Sequence, residues 1–358
     1  MGRLRYIGSK ARVCDDILDI IGRPTMGRFV DVFSGTGIVG RGALLRGWEV
    51  WANDYLPSSA IITAAHLFSI EDVPFGKKGG YGKAIEMLNS VEGTDGFVYR
   101  EYSPSGCSLS GQVRKYFAVE NARKIDGIRQ AIGAWFRKRI ISQKEAELLI
   151  ADLIEASNRV ANISGTYGCF LKELSPAALR PIRLVERSLH PVGRKFRVTS
   201  MDAFLMRVKN SDVIYLDPPY TKRQYAAYYH LLDTIALADA PQVSGVTGLR
   251  PWRHKSSPFC FKKQALSALM ELIGKMGAKR VALSYSSEGH ISLDSLQAQF
   301  GLLGKTKVHK LASIGRYRPN AKASKSGDNV FEYLITCEIT TPASECIGAS
   351  KKKEVYLR

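Results

Sequence analysis

The chain has 358 residues, 52 Lys+Arg against 33 Asp+Glu and a formal net charge of +19; its apolar share of 45% is enough for a packed core and excludes global disorder. No stretch approaches the ~20 apolar residues of a membrane span, and the start, MGRLRYIGSKAR, lacks the apolar run of a secretory signal. Cysteines and histidines are scattered without ligand spacing, so the expectation is a metal-free, cytoplasmic protein with reduced thiols and, given its charge, a polyanionic partner.

Taken in chain order, Ala11 to Ile21 has apolar residues at a helical period. Arg28 to Phe33 reads as a strand, Ser34-Gly35-Thr36-Gly37 as a turn, Ile38 to Leu45 as a helix and Trp48 to Asn53 as a second strand ending at Asp54. This is one βαβ unit, with parallel strands and a right-handed crossover. Further strands are expected at Phe196–Thr199, Asp212–Leu216 and Arg280–Tyr285, the last after an amphipathic helix over Lys263–Met276. Lys307–Leu311 and Asn329–Ile339 look like an antiparallel hairpin joined by a basic, polar loop.

At ~30 residues per βα unit, the chain between Asp31 and Asp217 is roughly 100 residues too long. The surplus lies between the second and third strands and reads as mainly helical. Ala118–Ile140 is strongly periodic, and Ser142-Gln143-Lys144-Glu145 is a capping box opening a helix over Ala146–Asn158. The expected architecture is therefore an α/β Rossmann-like sheet with a grafted helical domain. Residues 1–70 and 191–340 would form the sheet, 71–190 the insert and 341–358 a basic tail.

Gly35-Thr36-Gly37-Ile38-Val39-Gly40 is a literal G-x-G-x-x-G, and Asp54 follows about 20 residues on, which matches a dinucleotide fingerprint. Against a pyrophosphate stands the acidic Asp31 at the end of the first strand, close to the helix N-terminus. A phosphate-free nucleoside such as S-adenosylmethionine suits the loop as well. Asp54 would take its ribose, the glycines would admit its methionine end, and Asp31 would face its ammonium.

Leu216-Asp217-Pro218-Pro219-Tyr220 stands at the C-terminal end of a strand, where open α/β sheets place ligands. The prolines remove two N–H donors and leave carbonyls, so a carboxylate beside them suits an NH₂ group that donates two hydrogen bonds. Accepting both hydrogens of adenine's exocyclic amine favours a pyramidal nitrogen whose lone pair can attack, and Tyr220 can stack on the base.

With these residues the chain resembles the DNA adenine N6-methyltransferases of the Dam-like (alpha) group. The matching pieces are Arg5-Tyr6-Ile7-Gly8-Ser9-Lys10, Asp31 to Gly37, Asp54, Met201-Asp202-Ala203, Asp217 to Tyr220 and Ser284-Tyr285-Ser286-Ser287, in that order around the long insert. The resemblance implies a class-I methyltransferase sheet with a C-terminal antiparallel strand, S-adenosylmethionine as cofactor and the insert as target-recognition domain. It implies Asp217, Pro218, Pro219 and Tyr220 as the catalytic tip. Tyr6, Lys10, Asp31, Phe33, Ser34, Gly35, Gly37, Asp54, Asp202, Ala203 and Asp217 would line the cofactor. The bland alternatives are a solvated surface lysine for Lys10 and a helix N-cap for Asp202.

Methylating a paired adenine requires extruding it, so phosphate clamps and a base-reading element are needed. Candidates are Lys222 and Arg223 after the tip, Arg253 in Arg250–Lys255, Arg316 and Arg318 in the hairpin loop, and Tyr167 and Lys172 in the insert. The expected partner is double-stranded DNA, with a cognate restriction endonuclease if the enzyme serves restriction–modification. An RNA or protein methyltransferase, an N4-cytosine methyltransferase and a non-catalytic DNA-binding protein remain alternatives.

Overall fold

The computed structural model describes residues 8–24, 26–105, 111–191, 193–311 and 330–341. These fall into two compact units. The first unit draws on Ser9–Tyr55, Lys195–Gln224 and the chain from Ser256 onward, and is built on one sheet. Its strands are β1 (Phe29–Asp31), β2 (Val50–Asn53), β3 (Phe196–Thr199), β4 (Val213–Leu216), β5 (Arg280–Ser286), β6 (Gly304–Lys310) and β7 (Glu332–Ile339). Their spatial order is β3-β2-β1-β4-β5-β7-β6, parallel from β3 to β5, with β7 antiparallel to both its neighbours. This is the expected sheet with its C-terminal antiparallel hairpin.

The inner strands β1, β2 and β4 are buried at every position, and they read as unbroken apolar runs because helices cover both faces of a parallel sheet. A core of Val30, Val32, Ile214, Leu216, Leu283 and Ile335 joins them to Leu269, Leu272 and Ile273 on the helix Ala265–Met276. The strand order reverses between β1 and β4, which opens the crevice at their C-terminal ends. Asp31 closes β1, pairing in register with Tyr215 of β4, and Asp217 follows β4 directly.

The N-terminal helix differs from the expected Ala11–Ile21. It begins at Cys14, after a 3₁₀ turn over Lys10–Arg12, and the Val13 N–H donates to the Lys10 carbonyl at 3.0 Å. Lys10 thereby faces inward, 4% exposed, so the solvated-lysine alternative is set aside.

The second unit draws on Leu56–Arg194 and Tyr225–Lys255 and is helical. Helices Val119–Arg137 and Gln143–Arg159 pack as neighbours, the second opened by the expected capping box: Ser142 Oγ accepts from the Glu145 N–H and Glu145 Oε2 from the Ser142 N–H. The return of Tyr225–Lys255 to this unit has no sequence signal at the 190/191 boundary. It is pinned by buried polar groups: Asp233 Oδ1 accepts from the Ser58 N–H at 3.0 Å and from its hydroxyl at 2.7 Å. Buried Arg114, Tyr102 and Tyr116 tie down the carbonyls of residues 245–248. No helix among the described residues is long and apolar enough to cross a membrane.

The start of β1 is bolted to that of β4 by Asp212, fully buried, which accepts from the Arg28 N–H, Nε and Nη2 and from the Lys209 N–H. Burial raises the Asp212 carboxyl, but the hydrogen bonds from Arg28 outweigh it and hold the group below the usual carboxylate range. Asp212→Ala should destabilise the sheet unit by roughly 3 kcal/mol in urea unfolding, since it strands the Arg28 charge. A loss below about 1 kcal/mol would contradict the bolt. Because the folded carboxyl is depressed, its contribution is full above about pH 4 and fades as pH falls further.

Candidate active site

The site in the sheet unit is assembled from segments far apart along the chain. After β1 the loop is tied to β2: the Ser34 N–H donates to the Asn53 carbonyl at 2.8 Å, Gly37 N–H to the Ser34 carbonyl at 2.7 Å, and Gly35 N–H to Asp54 Oδ2 at 2.9 Å. Gly37 caps the helix Ile38–Leu45 at φ +74°, a left-handed conformation that strains other residues. At Gly40 a Cβ would lie 3.4 Å from Asp31 Oδ2, an ordinary contact, and the Gly40 N–H donates to that carboxyl. Phe33 stacks edge-on against Phe259, with ring centroids 5.5 Å apart.

Asp31 is 1% exposed, and its Oδ1 has no hydrogen-bond partner among the described residues. Burial, then the nearby Asp217 and Asp54 carboxylates, push its carboxyl up to about 8, against the opposing pull of the Gly40 and Phe33 N–H groups. A buried acid with an unanswered oxygen calls for a cationic or donor ligand.

Just after β4, Asp217 Oδ1 forms an ion pair with Lys10 Nζ at 2.8 Å. Burial raises the Asp217 carboxyl and Lys10 opposes that rise. For Lys10 itself burial favours the neutral amine, yet Asp217, Tyr220 and Glu332 together keep it protonated. Lys10 Nζ also lies 3.7 Å from Glu332 Oε2 and 5.4 Å from the centre of the Tyr220 ring. The tip is held rigid: the His290 N–H donates to the Tyr220 carbonyl at 2.9 Å, and the Tyr220 hydroxyl reaches Glu332 Oε1 at 3.4 Å. The Tyr285 ring tilts against that of Tyr220 at 5.6 Å, and Tyr215 donates to Ser284 Oγ at 2.8 Å beneath the tip.

Asp202 caps the 3₁₀ turn Ala203–Leu205, accepting from the Phe204 N–H at 3.0 Å, and Ala203 is buried. Its position depends on Asn53, which the sequence reading passed over. Asn53 Nδ2 donates to the Val32 and Met201 carbonyls, while its Oδ1 accepts from Thr199 Oγ1 and the Met201 N–H. One amide thus joins the ends of β1, β2 and β3. The only sequence cue was its place before Asp54. Glu332 was missed because it sat inside a run read simply as a strand.

Beyond the tip, Gln224 clasps the Ser257 backbone and the Arg223 carbonyl accepts from Cys260 Sγ, leaving the Lys222 and Arg223 side chains exposed. In the helical unit Lys172 and Arg253 are exposed. Tyr167 is not available to a base: it is fully buried, its hydroxyl donating to Asn158 Oδ1 at 3.1 Å, so its ring belongs to the core. Tyr6, Arg316, Arg318 and the tail after Thr341 lie outside the described residues. The described residues contain no group of three His, Cys, Asp or Glu that could hold a metal.

Comparison with known proteins gives a consistent answer. Residues 6–298 match the family described as D12 class N6 adenine-specific DNA methyltransferase. The type II methyltransferase M.FokI of Planomicrobium okeanokoites is 33% identical over 362 residues, covering 98% of this chain and 55% of that protein. M.NlaIII of Neisseria lactamica is 33% identical over 349 residues, with 94% of this chain and 100% of that protein covered. M.CviAII of Paramecium bursaria Chlorella virus 1 is 34% identical over 348 residues, at 94% and 98%. The chain thus spans about half the length of M.FokI and nearly all of the other two.

Proposed function

We propose, from the premise that the chain belongs to the D12 class N6 adenine-specific DNA methyltransferase family, that it methylates N6 of an extruded adenine in double-stranded DNA. The observation that carries the reading is the pair of carboxylates, Asp31 buried and Asp217 partly buried, at the C-terminal ends of adjacent strands β1 and β4. Of the two, Asp217 is followed by Pro218-Pro219-Tyr220 and paired to Lys10.

S-adenosylmethionine is the methyl donor of such enzymes; when bound it supplies an electrophilic methyl group on a sulfonium sulfur. The residues fit it. Asp31, with its unanswered oxygen, would take the ammonium of the methionine end. The Phe33–Gly37 loop would admit that end, with Ser34, Gly35 and Gly37 offering backbone and Phe33 an apolar wall. Asp54 would bind the ribose while clamping Gly35, and Asp202 and Ala203 would border the adenine. Lys10 would hold the cofactor side together through Asp217, and Tyr6 would add to that edge.

On the target side, Asp217 and the Pro218 carbonyl accept the two N–H groups of the adenine amine, which frees the nitrogen lone pair. As the nitrogen gains its methyl it sheds one proton, and Asp217, its carboxyl raised by burial, is hydrogen-bonded to take it. Tyr220 and Pro219 wall the base. Lys222 and Arg223, with Lys172, Arg253, Arg316 and Arg318, supply phosphate contacts in keeping with the +19 charge, and binding falls steeply as salt rises. The helical unit acts as the target-recognition domain. The relatives' names, type II methyltransferases and modification methylases, favour a restriction–modification role beside a cognate endonuclease, in the cytoplasm.

Purified protein with methyl-labelled cofactor should place label in duplex DNA as N6-methyladenine. Asp217→Asn should lower turnover by at least ~100-fold while duplex binding stays measurable. Label recovered as N4-methylcytosine would refute the adenine assignment, and near-normal turnover would refute the role of Asp217.

Asp31 gives a separate pH signature. With its carboxyl near 8, it is mostly protonated at pH 7 and must ionise to face an ammonium, so cofactor binding releases a proton. Affinity then rises with pH until the ligand's own α-amino group deprotonates near ~8. Calorimetry at pH 7 in buffers of different ionisation enthalpy should show that release, and Asp31→Asn should abolish it. Proton-neutral binding by the unaltered protein would contradict the pairing.

A further inference from the structure

Glu332 opens β7, on the antiparallel hairpin rather than on the strands that carry Asp31 and Asp217, and it is 5% exposed. Its surroundings are well defined. Ser286 stands opposite on β5, and the Leu311 N–H donates to the Glu332 carbonyl at 2.8 Å. Its side chain faces Lys10 Nζ at 3.7 Å and the Tyr220 hydroxyl at 3.4 Å. Asp217 lies across Lys10, Tyr215 acts on the Lys10 charge, and Asp31 and Asp217 repel one another.

A strand start of this kind gains nothing from an acid. A well-packed apolar side chain would cost less than a buried carboxylate that competes with Asp217 for one ammonium. Neither Asp217 Oδ1 nor Glu332 Oε2 has a hydrogen-bond partner of normal geometry among the described residues, although each faces Lys10. With Lys10 nearer to Asp217, the first negative charge of the pair resides on Asp217. Burial, and repulsion from that charge, raise the Glu332 carboxyl. Such a pair titrates in two coupled steps.

We propose that Glu332 is a positioning residue for methyl transfer: by sharing the Lys10 ammonium with Asp217 and fixing the Tyr220 hydroxyl, it sets the orientation of the tip and the strength with which Asp217 accepts the amine. The inference rests on the reading of Asp217 given above. When Glu332 ionises it draws on Lys10 and adds negative charge beside Asp217, which makes Asp217 the stronger acceptor. Transfer therefore quickens in two steps as pH rises.

Two measurements on the full chain test this. In the protein alone, carboxyl-¹³C glutamate NMR, with the Glu332 signal assigned by its loss in Glu332→Gln, should give a midpoint above the ordinary glutamate range. Asp217→Asn, which leaves Lys10 to Glu332, should bring that midpoint down; an unmoved midpoint overturns the shared ammonium. In single-turnover transfer at saturating cofactor and DNA, where Asp31 is held ionised, Glu332→Gln should lose the upper step and run several-fold slower on the alkaline plateau. Glu332→Asp should keep the step. A Glu332→Gln profile that superimposes on that of the unaltered protein, or keeps its shape while only thermal stability falls, overturns the positioning role. Absence of adenine methylation by the unaltered protein would instead sink the functional reading, with the NMR arm still deciding the coupling.

Discussion

Two carboxylates, Asp31 buried and Asp217 partly buried, stand at the ends of neighbouring parallel strands, and one buried lysine is paired with Asp217. An unpaired acid in such a place costs several kcal/mol, so the surrounding structure is organised to hold what answers it. The 3₁₀ turn at Lys10–Arg12 delivers the ammonium, the helix at Gly37 packs close over Asp31, and the hairpin brings Glu332 to the far side. The sheet supplies the rigidity. Asp212 locks β1 to β4 at one end and Asn53 joins β1, β2 and β3 at the other. The acids therefore cannot drift apart to relieve their repulsion.

That arrangement divides the labour of the site. Asp31 has an oxygen left unanswered and a carboxyl near 8, features of a group waiting for a cation. Asp217 already has its cation and sits beside a segment stripped of N–H donors by two prolines, features of an acceptor for an amine. On the proposed reading, two acids of the same type would take different roles because one is paired within the protein and the other is left for a ligand.

Much of this was legible in the sequence, for definite physical reasons. Parallel strands buried on both faces read as largely apolar runs, so β1, β2, β4 and β5 stood out, and Ser142 with Glu145 announced a helix start that the structure keeps. The glycine loop, Asp54 and the Asp-Pro-Pro-Tyr tip are local in sequence, and local patterns survive folding. What escaped depends on contacts across long separations. Glu332 is one acid among the residues of an edge hairpin until β7 places it against Lys10. Asn53 looks like any polar strand end until three strands meet on its amide. Tyr167 lies in a Gly- and Ser-rich turn that suggests exposure, yet its ring is enclosed by the helical unit. The return of Tyr225–Lys255 to that unit follows from Asp233 capping Ser58, a pairing that no spacing rule foretells.

The central claim is that the carboxylates at the ends of β1 and β4 serve methyl transfer to adenine. Its most direct measurement is base-resolved mapping of modified bases in DNA from a methylation-free host expressing this chain, set beside the same host expressing Asp217→Asn. N6-methyladenine should be concentrated at one short recurring sequence in the first culture and absent from the second. Unmodified DNA in both cultures, or modification confined to cytosine, would contradict it.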